Sequence, residues 1–296
     1  MRNADIDIVR LTNVATAKAN ALVQPFIFGR QQYAAHVDAA EAVRGLKFAV
    51  MANATICGHP RGTKPPSWEE MMRRARRVAA GGFRAEWDAL RDAATARAQQ
   101  RARGSAIAHA TSNVDELARK AAKAMKHIDE GKEGKAAGEF GAPPILDAGL
   151  ASTQQMVLQM TAQGELPAPE LYADVPGVAP FRPTRDTVRA VFASATLGSA
   201  HGTLKVPMET YRVAVRAGGF EAEYTIACAA FAGTLHARAA FETSYTRLCV
   251  LSKGIDKEGN QCGRPLGMPE DDRRLWGRCL CRQDRDKHRT FFTCMF

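Results

Sequence analysis

The sequence predicts a mainly α-helical fold with one small β-hairpin near the C-terminus, and three observations carry that expectation. Apolar residues recur with a 3.6-residue period in several separate stretches. Helix-capping residues stand just before these stretches and glycines just after them. Past Thr246 the pattern changes to two short, strand-like runs around a polar turn.

Taken in order, residues 1–66 alternate short apolar runs, Phe26–Phe28 and Phe48–Met51, with polar ones and match neither period. The run His59-Pro60-Arg61-Gly62-Thr63-Lys64-Pro65-Pro66 breaks the chain. Ser67 with Glu70 three residues on is a capping box, in which two side chains satisfy two exposed backbone donors. Met71, Ala75 and Val78 then share a face until Gly81-Gly82 interrupts, and Phe83, Trp87, Leu90 and Ala94 resume it. The polar face of this helix runs through Arg97, Arg101 and Arg103.

A second capped helix is predicted from Asn113 and Glu116 to Gly131, with Leu117, Ala121, Ala124, Met125 and Ile128 inward. Residues 131–183 read as a linker or irregular region, punctuated by Pro143-Pro144, Pro167 and Pro169. Thr184 caps a helix with Val188, Val191, Phe192 and Ala195 inward. Pro207 opens another, with Tyr211 and Val215 inward and Gly218-Gly219 as its stop. A third runs through Phe220, Tyr224, Cys228 and Phe231. The expected organisation is an unassigned segment 1–66, a helical basic region 67–130, a linker 131–183 and a C-terminal region 184–296.

In that last region Thr246–Ser252 (TRLCVLS) reads as a strand, Lys253–Gln261 as a polar turn, and Cys262 as the start of a second strand. Glu270 and Asp271 open a helix with Leu275, Trp276, Cys279 and Leu280 on one side. Arg274, Arg278, Arg282 and Arg285 follow at i, i+4, i+8 and i+11, one stripe at about 100° per residue.

The net charge of +10 favours polyanionic partners, RNA or DNA met through their phosphates. Seven cysteines, an odd number, in a chain whose Met1–Val14 segment lacks a secretory pattern point to free thiols in a reducing compartment, nucleus or cytoplasm. The most apolar run, Phe48–Cys57, is too short and too polar to span a bilayer, so no membrane partner is expected.

Cys279 and Cys281 with His288 and Cys294 supply four potential zinc ligands, but the spacing departs from C-x₂₋₄-C and the first two point to different sides of a helix. Buried or idle thiols account for them better, and no metal site is expected. Cys57 with His59 is similarly isolated. The sequence holds no Gly-rich phosphate loop of the known types and no nucleophile with a matching base, so no catalytic residue is assigned.

The hairpin places Lys253 just after its first strand and Arg264 within its second. Cations on paired strands are able to address one anion from the same side, lysine as a mobile point charge and arginine as a planar fork. Around them stand Leu251-Ser252-Lys253-Gly254, then Arg264-Pro265-Leu266, then a helix with Arg273-Arg274-Leu275. Upstream stands Gly198-Ser199-Ala200-His201-Gly202-Thr203-Leu204-Lys205-Val206-Pro207-Met208-Glu209-Thr210-Tyr211. Together these resemble the fingers blocks of reverse transcriptases of the non-LTR retrotransposon type, "G-x-A-P-G-x-D-G-I-P-x-E-x-Y", "L-P-K-x-G" and "R-P-I", in the same order over about residues 184–290. Ser252, Leu266, His201 and Leu204 depart from the pattern.

The resemblance implies that Lys253 and Arg264 hold a nucleotide triphosphate, that the segment up to Lys205 lies near a template strand, and that Arg274, Arg278, Arg282 and Arg285 face a phosphate backbone. It also implies an N-terminal, fingers part only: the palm aspartates that would hold two metal ions belong after these blocks, and Asp271-Asp272 reads as a helix cap. The expectation is a truncated or degenerate reverse-transcriptase-like protein that binds nucleic acid without polymerising alone. No cofactor is expected for this chain, Mg²⁺ being needed only by a complete polymerase. The competing expectation is a helical interaction or scaffold protein whose basic faces are merely solvated.

Overall fold

The computed structural model describes residues 6–9, 11, 16–105, 118, 120–125, 127, 146, 151–160, 181–195, 202–244, 246–255 and 261–283, and of 246–255 and 261–269 the backbone course. In chain order the elements are β1 (Ile6–Ile8), α1 (Thr16–Ala35), α2 (Ala42–Cys57), β2 (Gly58–Pro60), α3 (Trp68–Arg77), α4 (Phe83–Ser105), α5 (Ala151–Met160), α6 (Arg185–Ala193), α7 (Met208–Ala214), α8 (Phe220–Phe231), α9 (Ala237–Ser244), β3 (Thr246–Ile255), β4 (Gln261–Pro269) and α10 (Asp271–Gln283). They fall into two compact units. One comprises residues 1–98, 172–247 and 268–296, the other residues 99–171 and 248–267.

The first unit is built around α1, in the segment whose sequence matches neither period. Leu22, Val23, Phe26, Ile27, Arg30 and Tyr33 are all buried, so α1 is covered on a broad face by α2, α3, α7 and α8. A helix in that position needs apolar residues on several sides, which blurs the one-faced pattern that marks a surface helix. The connection of 36–41 returns the chain as α2, and the two helices meet through small residues. A Cβ built on Gly45 would lie 2.4 Å from the Tyr33 backbone nitrogen, and one on Gly29 would lie 2.5 Å from the Ala49 nitrogen. Backbones in such contact leave no room for even a methyl group.

The other helices agree more closely with their sequence patterns. Ser67 Oγ accepts from the Glu70 N–H at 3.2 Å, and Thr184 Oγ1 accepts from the Thr187 N–H at 3.2 Å. The Glu70 carboxylate goes instead to Arg73 and Arg74, so only one arm of the capping box forms in the expected sense. Both Gly-Gly pairs interrupt helices through a wide turn: Gly81 at φ 88° separates α3 from α4, and Gly218 at φ 101° separates α7 from α8. A residue with a Cβ is strained at such angles. Met71, Ala75, Val78, Val188, Val191, Phe192, Tyr211 and Val215 are buried as the period requires.

β1 pairs antiparallel with β2, Ile6 opposite Pro60 and Ile8 opposite Gly58, and Ile6 joins Trp87, Leu90 and Ala94 of α4 in a small second core. Four expectations change. Residues 16–57 are largely helical, and α5 lies inside the stretch 131–183 whose prolines suggest an irregular region. Met125 is 58% exposed and Ala121 is exposed, leaving Ala124 as the buried member of that helical stretch among the described side chains. Leu280 is exposed, because α10 turns Leu275, Trp276 and Cys279 inward and the next position falls past the edge of that face.

In the second unit β3 and β4 are hydrogen-bonded to each other, joined through 256–260, a connection too short for a parallel crossover. The predicted ribbon is therefore present, three residues longer at its first arm than the sequence pattern indicates. Among the described residues no helix is long and apolar enough to cross a membrane.

The α1–α2 contact yields a direct expectation. Gly45→Ala should lower stability by about 1–3 kcal/mol or more through overpacking, whereas Gly62→Ala, with open space around it, should cost only its backbone strain. Urea unfolding of the two variants measures the difference.

Candidate nucleic-acid interface

The electrostatic centre of the first unit is Arg30, on the buried face of α1 and 1% exposed. Its Nε and Nη2 donate to Glu223 of α8 at 2.8 and 2.6 Å. Its Nη1 and Nη2 donate to Asp272 of α10 at 3.1 and 2.8 Å. Both carboxylates are engaged by two bonds each, the geometry that suits a guanidinium fork. The guanidinium carbon lies 5.3 Å from the Tyr33 ring centre, 5.4 Å from Tyr211 and 6.0 Å from Phe26, within cation–π reach of all three. Burial pushes the Glu223 carboxyl above its ordinary range against the pull of Arg30.

The head of α10 carries two more buried carboxyls. Glu270 Oε1 accepts from the Leu204 N–H at 2.9 Å, and Gly202 presses so closely on Glu270 that a Cβ there would lie 2.6 Å from its Oε2. The segment 202–207 is thereby tied to α10. Lys205 sits in it with φ 57°, its Nζ donating to the Ile6 carbonyl at 3.4 Å. Asp271 accepts from Arg274 at 2.7 Å. Burial raises Glu270 to about 7 despite the backbone donors of Leu204 and Thr203. Burial likewise raises Asp271 to about 7 against Arg274, with the charges of Asp272 and Glu209 pushing the same way.

The residues singled out from sequence therefore separate. Lys253 lies in β3 and Arg264 in β4, on paired strands; the directions of their side chains lie outside the described residues, as does Arg285. Arg274 is half-buried and committed to Asp271, Arg278 is half-buried, and Arg282 is exposed near the end of α10. Asp271 and Asp272, expected to cap a helix, pair instead with the arginines Arg274 and Arg30. Among the described residues no group of three His, Cys, Asp or Glu is arranged to hold a metal ion. Cys57 and Cys279 are buried thiols pushed up to about 12 by that burial, which keeps them protonated near neutrality.

Several arginines of α3 and α4 are paired with carboxylates. Arg73 pairs with Glu70 at 2.7 Å and with Glu86 at 3.0 Å, Arg77 with Glu86 at 2.9 Å, Arg84 with Asp88 at 2.8 Å, and Arg91 with Asp88 at 3.1 Å. Sequence reasoning misses Arg30, Glu223 and the tie made by Glu270. A charged residue in an apolar run, as Arg30 is in FIFGRQQY, is the one local sign of such a buried pair.

Two measurements test this centre. Arg30→Met leaves two carboxyls buried without their cation and should cost about 3–5 kcal/mol, while the added changes Glu223→Leu and Asp272→Leu should recover much of it in urea unfolding. The raised Glu270 and Asp271 mean that the folded protein holds these protons more tightly than the unfolded chain. Their contribution is complete below about pH 4 and is lost as pH rises through about 7. Unfolding at a series of pH values should show this loss, on the order of 3 kcal/mol for each carboxyl. Glu270→Gln, which keeps an acceptor for Leu204, should flatten part of it.

Compared with family models, with curated proteins and with solved structures, the chain gives no match.

Proposed function

We propose that this chain binds nucleic acid through phosphate contacts, as the fingers-like part of a reverse-transcriptase-like protein, and performs no polymerisation by itself. The observation that carries the reading is the ribbon. Lys253 and Arg264 occur on two hydrogen-bonded strands, one cation on each arm, as the resemblance requires. A second support is the tie from Glu270 to the Leu204 N–H, which joins the upstream block to the helix that comes after the ribbon. The net charge of +10 adds a long-range attraction for polyanions.

In this reading Lys253 and Arg264 grip the phosphates of a nucleotide or strand end, while Arg282, exposed on α10 of the first unit, is a phosphate contact considered by itself. Such contacts position a strand without discriminating its sequence. Arg274 and Lys205 contribute less directly, since they already donate to Asp271 and to the Ile6 carbonyl.

Titration of a labelled DNA duplex by fluorescence anisotropy at rising salt is expected to give log K falling linearly, by about 0.9 per phosphate contacted. The double variant Lys253→Ala/Arg264→Ala should bind roughly tenfold more weakly, the effect of about 1.4 kcal/mol. Absence of binding at low salt would favour the scaffold reading. Primer extension by the purified chain with Mg²⁺ present would refute the non-polymerising part.

A further inference from the structure

A second basic surface, next to the end of α10, lies where α6 packs against α8. Phe220 and Tyr224 stack one turn apart on α8, ring centres 6.1 Å apart and inclined by 22°. Over them lie two arginines of α6. The Arg185 guanidinium is 5.2 Å from Phe220 and 5.0 Å from Tyr224, and that of Arg189 is 4.4 Å from Phe220. Arg182 reaches Tyr224 and Cys228 through its side chain. Its backbone is braced as well, Gln283 of α10 donating to the Arg182 carbonyl at 3.0 Å. Arg216 is exposed on the wide turn that leads into Phe220.

These arginines differ from those of α3 and α4 in what they are bonded to. Arg185 pairs with Glu221, but Arg182, Arg189 and Arg216 have no ion pair to a described residue, although all three are exposed. Arg189 lies on the Phe220 ring and Arg182 lies near Tyr224 and Cys228, and neither has an ion pair to a described carboxylate.

A guanidinium lying on an aromatic ring has one face covered and the other face and its N–H edge turned outward. Because the ring restrains it, little side-chain freedom remains to be lost on binding. The outer face accepts a stacked base and the edge donates to a phosphate. A duplex hides its base faces inside the stack, so an array of this kind suits bases that are unpaired.

We infer that α6 and α8 form a docking surface for a single nucleic-acid strand, with phosphates on Arg182, Arg189 and Arg216 and bases against the outer faces of Arg185 and Arg189. The inference rests on the nucleic-acid-binding reading and assigns it a further set of contacts, distinct from Lys253 and Arg264.

The test is anisotropy with a labelled oligo(dT) of about twenty nucleotides, long enough to span such a surface. The patch variant is Arg182→Gln/Arg189→Gln/Arg216→Gln. A charge-matched control is Arg44→Gln/Arg76→Gln/Arg84→Gln, whose three arginines are exposed elsewhere in the same unit. The full chain is used throughout, with far-UV circular dichroism to verify that both variants keep their helices. The patch variant should bind oligo(dT) at least tenfold more weakly and lose about two units of salt slope, at roughly 0.7 per phosphate on a single strand. The control should stay within about twofold.

An equal loss in the control, or no loss in the patch variant while the wild type binds, overturns the inference and leaves the ribbon reading standing. A loss on blunt duplex as large as on oligo(dT) overturns the assignment to a single strand. Wild-type protein that binds neither probe at low salt removes both readings together.

Discussion

A single buried guanidinium organises the first unit of this protein. Arg30 enters the core from the middle of α1 and takes two carboxylates from helices almost two hundred and more residues downstream, Glu223 of α8 and Asp272 of α10. Each partner is as buried as the arginine itself. Burying three charges together is costly, and four charge-assisted hydrogen bonds with three aromatic rings offset the cost only in one geometry. The cluster therefore acts more through specificity than through net stability: any other register of α1 against α8 and α10 strands a charge in the core.

Later parts of the chain depend on that register. α10 begins at Asp271, so the tether at Asp272 fixes the head of that helix within the first unit. Glu270, just before the helix, holds the segment 202–207 against the same helix end. The close α1–α2 approach through Gly29 and Gly45 leaves α1 no freedom to shift along its axis. Small residues and a double ion pair fix the central helix by complementary means, contact and charge.

Arginine has three different environments in this molecule, and the differences matter for function. Arg30 is committed to the core. Five arginines of α3 and α4 (Arg73, Arg74, Arg77, Arg84 and Arg91) are paired with glutamate or aspartate a turn away or across the wide turn, which offsets part of the basic composition there. On α6 Arg189 lies on an aromatic ring without an ion pair to a described residue, which orients it without cancelling its charge, while Arg185 both lies on the rings and pairs with Glu221. Net charge alone does not distinguish these cases, because a paired and an unpaired arginine count the same.

By itself the sequence determined the local features: the caps at Ser67 and Thr184, the breaks at Gly81 and Gly218, the inward faces of α3, α4, α6 and α7, and the ribbon carrying Lys253 and Arg264. These depend on neighbours within a turn or a tight hairpin, and their periods are written in short windows of residues. Only the tertiary structure decided that the unassigned N-terminal segment supplies the central helices, that Arg30 pairs with Glu223 and Asp272, and that Arg185 and Arg189 rest on Phe220 and Tyr224. A helix covered on several sides loses its one-faced pattern, and the partners of a buried charge lie far off in sequence. Neither is encoded in local spacing, because both are settled by the energy of removing groups from water together.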